Sequence, residues 1–193
     1  LIDTGIKSGF EYDGSYCDVN EVSYRDLKPI ECQANLRIGF IDIEVAVPRP
    51  EDLREFSGPV IIVGIYDSYT GEYVQFADED EKVLLNSVLN YLCWARFDVL
   101  VSFSDLDVPY LLNRMQRYSI IDYKKLSPVR RVSVDRAKIL GTEILDIARL
   151  YRKVSGEPEW NTLDFIAKRE LGRGKVELDK SVYELWRDGR KDL

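Results

Sequence analysis

The apolar positions fall into order at residues 36–45, LRIGFIDIEV, where hydrophobic side chains stand on both faces of a two-residue repeat and predict a strand. The 35 residues before it carry Gly5, Gly9 and Gly14, several tyrosines and no clear period, and read as an irregular lead-in. Residues 46–58, with Pro48 and Pro50, read as a surface loop. PVIIVGIYDS, residues 59–68, is apolar on both faces and predicts a central strand. YTGEYVQF follows, with a turn at Thr70–Gly71 and a third strand that closes a hairpin. The period then becomes helical: Val83, Leu84, Val88, Tyr91, Leu92 and Ala95 recur on one stripe from Asp80 to Trp94. Acids at 78–81 suit the positive end of that helix's dipole. FDVLVSF, residues 97–103, predicts a fourth strand, and Pro109 fits the first turn of a second helix running through YLLNRMQRYS. Residues 129–147 alternate in part and predict a strand pair, followed by a helix near 147–154. Asn161 or Thr162 caps the next helix, which Gly172 ends, and a last helix spans roughly 179–187. The order of elements predicts an α/β fold with a mixed sheet flanked by helices. No internal repeat interrupts it. One domain over 36–193, preceded by a lead-in over 1–35, is the economical division.

Composition narrows the chemistry. The 193 residues suffice for one domain with a sizeable core. There is no histidine, which excludes Ser-His-Asp, Cys-His and His-metal chemistry. Catalysis must then run on carboxylates, hydroxyls, amines or a metal held by oxygen. Cys17, Cys32 and Cys93 are odd in number and form no C-x-x-C pair, so a reducing cytoplasmic setting is expected. No apolar run reaches the roughly 20 residues of a membrane span, and the start has no signal-peptide pattern. The chain does not open on Met and reads as a piece of a longer one. A net charge of −7 argues against a stand-alone clamp on duplex DNA. It leaves room for an enzyme that meets nucleic acid through divalent cations, which reverse the field of a carboxylate site.

Asp42 and Glu44 interrupt the first strand. Two residues apart, they project from one face with Cα atoms roughly 6.6 Å apart. Leu36, Ile38 and Phe40 precede them there, while Ile41, Ile43 and Val45 fill the other face. Two such charges repel unless a cation lies between them, and Mg2+ or Mn2+ takes this kind of oxygen ligand. The plain alternative is that the apolar run ends and both acids point to water. Asp107 sits where the fourth strand's turn meets the second helix. If the first and fourth strands are neighbours, Asp107 faces Asp42 and Glu44 across a cleft at the strand ends. Three carboxylates can then hold two ions for phosphodiester cleavage. Helix capping is the plain alternative for Asp107.

These residues resemble the 3′–5′ proofreading exonuclease domain of family B DNA polymerases, which has a ribonuclease-H-like fold with a β-hairpin insertion. DIE in GFIDIEV looks like that family's first motif, and VSFSDLDVPYLLNR is similar to its second. Phe103 and Ser104 stand where the family has Tyr-Asn, and the segment up to Asp107 is about two residues short. TEILDIARLYRK, EWNTLDFIAKRELG and KSVYELW follow in the family's order, and LIDTGIKSG is similar to the linker before the domain in archaeal members. The resemblance implies a two-metal exonuclease with Asp42, Glu44 and Asp107 as catalytic ligands and Phe103 and Ser104 near the DNA. The implied partners are a single-stranded 3′ end, the remaining polymerase domains and a sliding clamp. The family's third motif, Tyr-x-x-x-Asp, is expected after GRKDL; Tyr118–Asp122 has that spacing but comes too early in the order. An altered second motif equally implies a degenerate, inactive scaffold.

Other residues have competing roles. Trp94, Trp160 and Trp186 pack at a core or its rim or stack on bases. Arg130, Arg131, Arg136 and Lys138 form a basic hairpin, and Asp146 reads as a helix cap first.

Overall fold

A computed structural model describes residues 9–12, 24–33, 35–119, 121–156, 162–175 and 180–188. Contacts divide the chain into two compact units, Leu1–Leu36 and Arg37–Leu193. Trp160 and Asn161 lie outside the described residues.

The first unit corrects the expectation of an irregular lead-in. Its strands β1 (Gly9–Tyr12) and β2 (Leu27–Ile30) form an antiparallel ladder, preceded at β2 by a 3-10 turn over Tyr24–Asp26. The partners lie far apart in sequence, so no local period announces them. Pro29 within β2 donates no ladder hydrogen bond, which is tolerable at a sheet edge.

In the second unit, β3 (Ile38–Val45), β4 (Val60–Asp67) and β5 (Glu72–Ala77) run antiparallel. The helix α1 (Glu81–Ala95) then leads to β6 (Val99–Ser102), and α2 (Asp107–Arg117) follows. The last sheet strand is β9 (Glu143–Asp146), giving the order β5-β4-β3-β6-β9 with β3, β6 and β9 parallel. This is the mixed, helix-flanked α/β sheet expected. One sheet face carries Ile41, Val63, Ile65 and Leu100, buried with Leu84, Leu85, Val88 and Leu92 of α1 and Val108, Leu111 and Met115 of α2. The buried stripe of α1 is rotated from the predicted one: Leu85 and Leu89 face inward, and Val83 is exposed.

Residues 129–147 are not one strand pair. β7 (Val132–Ser133) and β8 (Lys138–Ile139) make a minimal hairpin, while TEILD joins the main sheet beside β6. Both alternations are real, but the second pairs with a strand 40 residues upstream. The chain closes with α3 (Ile147–Ser155), α4 (Leu163–Leu171) and α5 (Val182–Arg187). Thr162 caps α4 and Gly172 ends it at φ +66°, while Ser181 and Glu184 form a capping box on α5. Among the described residues no helix is long and apolar enough to cross a membrane.

Two local devices hold the sheet in place. Arg37, at the start of β3, puts its guanidinium on the fully buried Asp67 at 2.5–3.1 Å and on the Ala95 carbonyl at 2.8 Å. The same group lies 4.8 Å over Trp94 and 5.3 Å over Phe97, which makes the exposed Trp94 a rim residue. Its backbone N–H donates to the Asp98 carboxylate at 2.8 Å. The second device is Gly58, at the end of the loop between β3 and β4. A Cβ there would stand 2.4 Å from the Ala46 carbonyl oxygen, a backbone atom that cannot swing aside. Gly58→Ala is therefore expected to lose about 1–3 kcal/mol, read as a lower urea midpoint with an unchanged m-value.

Candidate functional site

Asp42 and Glu44 stand two residues apart on β3, directly opposite Gly64 and Ile62 of β4. Asp42 is exposed and Glu44 half-buried, and the register breaks just after Glu44. Because β3 and β6 are parallel neighbours, their C-terminal ends lie on one side of the sheet. From that end of β6 the chain turns through 103–106 and enters α2 at Asp107.

Local hydrogen bonds shape this turn. Ser102 Oγ donates to the Ser104 carbonyl at 2.7 Å, and Ser104 Oγ accepts from the Leu106 N–H at 3.2 Å. The Ser104 hydroxyl in turn donates to Asp107 Oδ2 at 3.4 Å. Asp107 is not the helix cap. Leu106 occupies that position without a side-chain hydrogen bond, and Asp107 is the first helical residue. Its half-buried carboxyl lines a cleft of about 340 Å3 with Glu44, Ser104, Leu106, Tyr110 and Tyr183.

Asp107 and Glu44 both feel neighbouring negative charge. Burial pushes the Asp107 carboxyl up to about 7, and the charges of Asp42 and Glu44 add to it. The Ser104 hydrogen bond and Lys175 oppose that rise. Glu44 is raised too, first by burial and then by Asp42, again with Lys175 opposing. The set nevertheless remains open: among the described residues no three Asp, Glu, Cys or His side chains stand as a group that could hold a metal ion. The donor chemistry, hard carboxylate oxygen throughout, fits Mg2+ or Mn2+.

The helix bearing Asp107 is fixed from behind. Tyr110 Oη donates to the Gly58 carbonyl at 2.8 Å. Arg114 reaches Glu81 at 2.7 and 2.5 Å and the Phe56 and Ser57 carbonyls at 3.3 and 3.1 Å. Glu81 also accepts from the Val60 N–H at 2.8 Å and from Tyr118 Oη at 2.6 Å. Burial alone would raise the Glu81 carboxyl, yet Arg114, Tyr118 and the Val60 N–H hold it below its ordinary range. Arg114 thus ties α2 to the start of α1 and to the loop that frames the cleft.

Several sequence-level candidates have other employment. Tyr118 donates to Glu81, and Asp122 pairs with Arg130 at 2.7 Å, so this Tyr-x-x-x-Asp belongs to the scaffold. Asp146 caps α3 through the Arg149 N–H at 3.2 Å, as its first reading held. Lys138 and the β7–β8 hairpin lead into the N-terminal end of β9, the opposite end of the parallel strands from Asp107. Phe103 is half-buried in the turn beside Ser104.

Lys175, Ser181 and Tyr183 were not legible as site residues. A lone lysine after GRG has no period. It is placed because its N–H donates to Asp164 Oδ1 at 2.6 Å, beside Gly174, where a Cβ would stand 2.3 Å from that same oxygen. Ser181 and Tyr183 reach the cleft because α5 packs against β3.

Comparison with known proteins adds a family to this geometry. The family described as DNA polymerase family B, exonuclease domain, matches residues 52–157, a span that contains Asp107 but not Asp42 or Glu44. Among solved structures, the family B DNA polymerase from the hyperthermophilic archaeon Pyrobaculum calidifontis is similar in fold, with a TM-score of 0.64 and 23% identity. The similarity covers 84% of this chain and 23% of that polymerase, so the chain spans under a quarter of its length. No curated protein sequence matches significantly.

Proposed function

Because the chain belongs to the exonuclease-domain family of family B DNA polymerases, we propose that Arg37–Leu193 is a 3′–5′ exonuclease module. In this reading Asp42, Glu44 and Asp107 are the catalytic ligands of two divalent ions, Mg2+ or Mn2+, and a single-stranded DNA 3′ end is the substrate. Leu1–Leu36 then belongs to a preceding module. DNA and the remaining polymerase domains are the partners, with a sliding clamp reached through the parent enzyme in a cytoplasmic setting.

One observation carries the proposal: β3 and β6 are parallel neighbours, and Glu44 from the first and Asp107 from the turn after the second line one cleft, where burial and the charges of Asp42 and Glu44 push Asp107 up to about 7. Such a cluster is unfavourable by itself and becomes favourable when positive charge enters it. When bound, divalent ions would supply Lewis-acid stabilisation of charge on the phosphate. The protein's own part is to present the ligands. Asp42 and Glu44 are set by the β3 pleat. Asp107 must release its proton before it can ligate, and the Ser104 hydroxyl orients its Oδ2. Lys175, whose charge both Glu44 and Asp107 feel, is available to a phosphate oxygen.

A second reading, an inactive exonuclease-like scaffold that guides DNA, is favoured by Phe103 and Ser104 standing where the family's second motif has Tyr-Asn. Isothermal titration with Mn2+ and trimming of 3′-labelled single-stranded DNA separate the two. The exonuclease reading expects Asp42→Ala to lower Mn2+ affinity at least on the order of ten- to a hundredfold, with trimming lost in parallel. A parent protein that neither takes up Mn2+ nor shortens the strand would leave only the scaffold.

A further inference from the structure

The sheet face that bears the acids continues past them. Phe40 on β3, Tyr66 on β4 and Tyr73 on β5 are directly paired and make one row of aromatic rings across three strands. The next row is Asp42, Gly64 and Gln75, and the one after it is Glu44, Ile62 and Ala77. The helices α1 and α2 pack on the other face, and the aromatic row stays open at 44%, 42% and 62% exposure for Phe40, Tyr66 and Tyr73. Phe40 and Tyr66 have ring centroids 6.1 Å apart. Tyr73 leans diagonally onto its neighbour's row: a Cβ on Gly64 would stand 2.0 Å from Tyr73 Oη and 2.7 Å from its Cζ. The end of the ring therefore covers Gly64, the residue directly opposite Asp42. Glycine is what permits a ring to lie flat there.

We propose that Phe40, Tyr66 and Tyr73 form a stacking ledge for unpaired nucleobases, continuous with the acid site. The proposal rests on the exonuclease reading for one thing only, the phosphate at Asp42. A strand with that phosphate in place brings its neighbouring bases over a face of rings one row away. Two of the three rings are phenols, with an apolar plane and a water-compatible rim, and what points to a nucleic-acid occupant is that the row lies one register step from Asp42 on the same face. Every base has a π-face, so the ledge selects single-stranded over duplex nucleic acid without reading sequence. With a net charge of −7, the chain draws affinity from stacking and divalent ions, and the salt dependence should be shallower than for a basic groove.

The test is fluorescence anisotropy of a labelled oligo-dT with the full chain in Ca2+, beside the Tyr66→Leu, Tyr73→Leu and Tyr73→Phe variants. Leucine keeps the strands apolar while removing the π-face, although at position 73 it is too short to reach Gly64 as the ring does; circular dichroism confirms that each variant is folded. The expected result is a weakening of roughly five- to a hundredfold in each leucine variant. Tyr73→Phe should bind like the parent, and Mn2+ uptake by titration should be the same in all. Unchanged oligonucleotide binding in both leucine variants would overturn the ledge and assign the row to a polypeptide neighbour. A parent that takes up Mn2+ but binds no oligo-dT would also overturn it, while leaving the exonuclease reading in place. Binding lost with the rings in a protein that takes up no Mn2+ would support the ledge and reject the nuclease.

Discussion

Arg114→Ala should lower the stability of the fold by about 3–5 kcal/mol, the usual penalty for removing one partner of a buried ion pair. Arg114 and Glu81 are 7% and 8% exposed. Without the guanidinium, Glu81 keeps a hydroxyl and one N–H as donors but loses its compensating charge, and the Phe56 and Ser57 carbonyls lose theirs. Urea denaturation at pH 7 reads the effect as a shifted midpoint. Most of the loss should return in the Arg114→Met, Glu81→Leu double variant, because an apolar pair leaves no charge behind. The penalty has a pH sign. Glu81's folded-state pKa is lowered, so the pair's stabilisation is present above the ordinary carboxylate range and is lost as pH falls through the folded value. The single variant and the parent should therefore converge in acid. A midpoint shift of less than 1 kcal/mol at pH 7 would mean that α2 is held by packing alone.

Asp107→Asn should do the opposite at alkaline pH and stabilise the chain. The folded-state pKa of Asp107 is about 7 against an ordinary 3.8, so between those values the folded protein holds a proton that the unfolded chain has released. Stability contributed by that proton is complete below about 4 and disappears as pH rises through about 7. Asparagine keeps the shape and never ionises. In EDTA at pH 8 the variant should exceed the parent on the order of 1–3 kcal/mol, discounted for partial exposure. Below about pH 4 the two should melt together. Excess Mn2+ should reverse the order, because only the parent gains stability from binding. A variant less stable than the parent at pH 8 in EDTA would show that Asp107 is not under electrostatic strain.

The strands and helices around the site were legible because each has a local signal: β3 and β4 their apolar runs, β5 the turn at Thr70–Gly71, α1 its stripe and α4 its ends at Thr162 and Gly172. The neighbouring of β3 and β6, on which the site depends, is only a condition at the level of the sequence, since an apolar run such as FDVLVSF marks a strand and not its neighbour; the sheet meets that condition. Less legible was whatever depends on remote partners. TEILD alternates like a hairpin arm, yet it is the β6 ladder that takes it up. Asp107 has the look of a cap, but the chain turns one residue earlier and leaves its carboxyl for the cleft. Glu81 seemed one of four acids at a helix start; its burial against Arg114, 33 residues on, has no local sign. Lys175 and Tyr183 enter the site only through the packing of α4 and α5.

Arg37 has a mechanical consequence. Any tension transmitted along the chain from residue 36 arrives first at a residue riveted to Asp67, Asp98 and the Ala95 carbonyl. These belong to β4, to the approach to β6 and to the end of α1, so the load is spread over three elements before it can unzip the β3 ladder. The acids at the far end of that strand are thereby shielded from strain entering at its beginning.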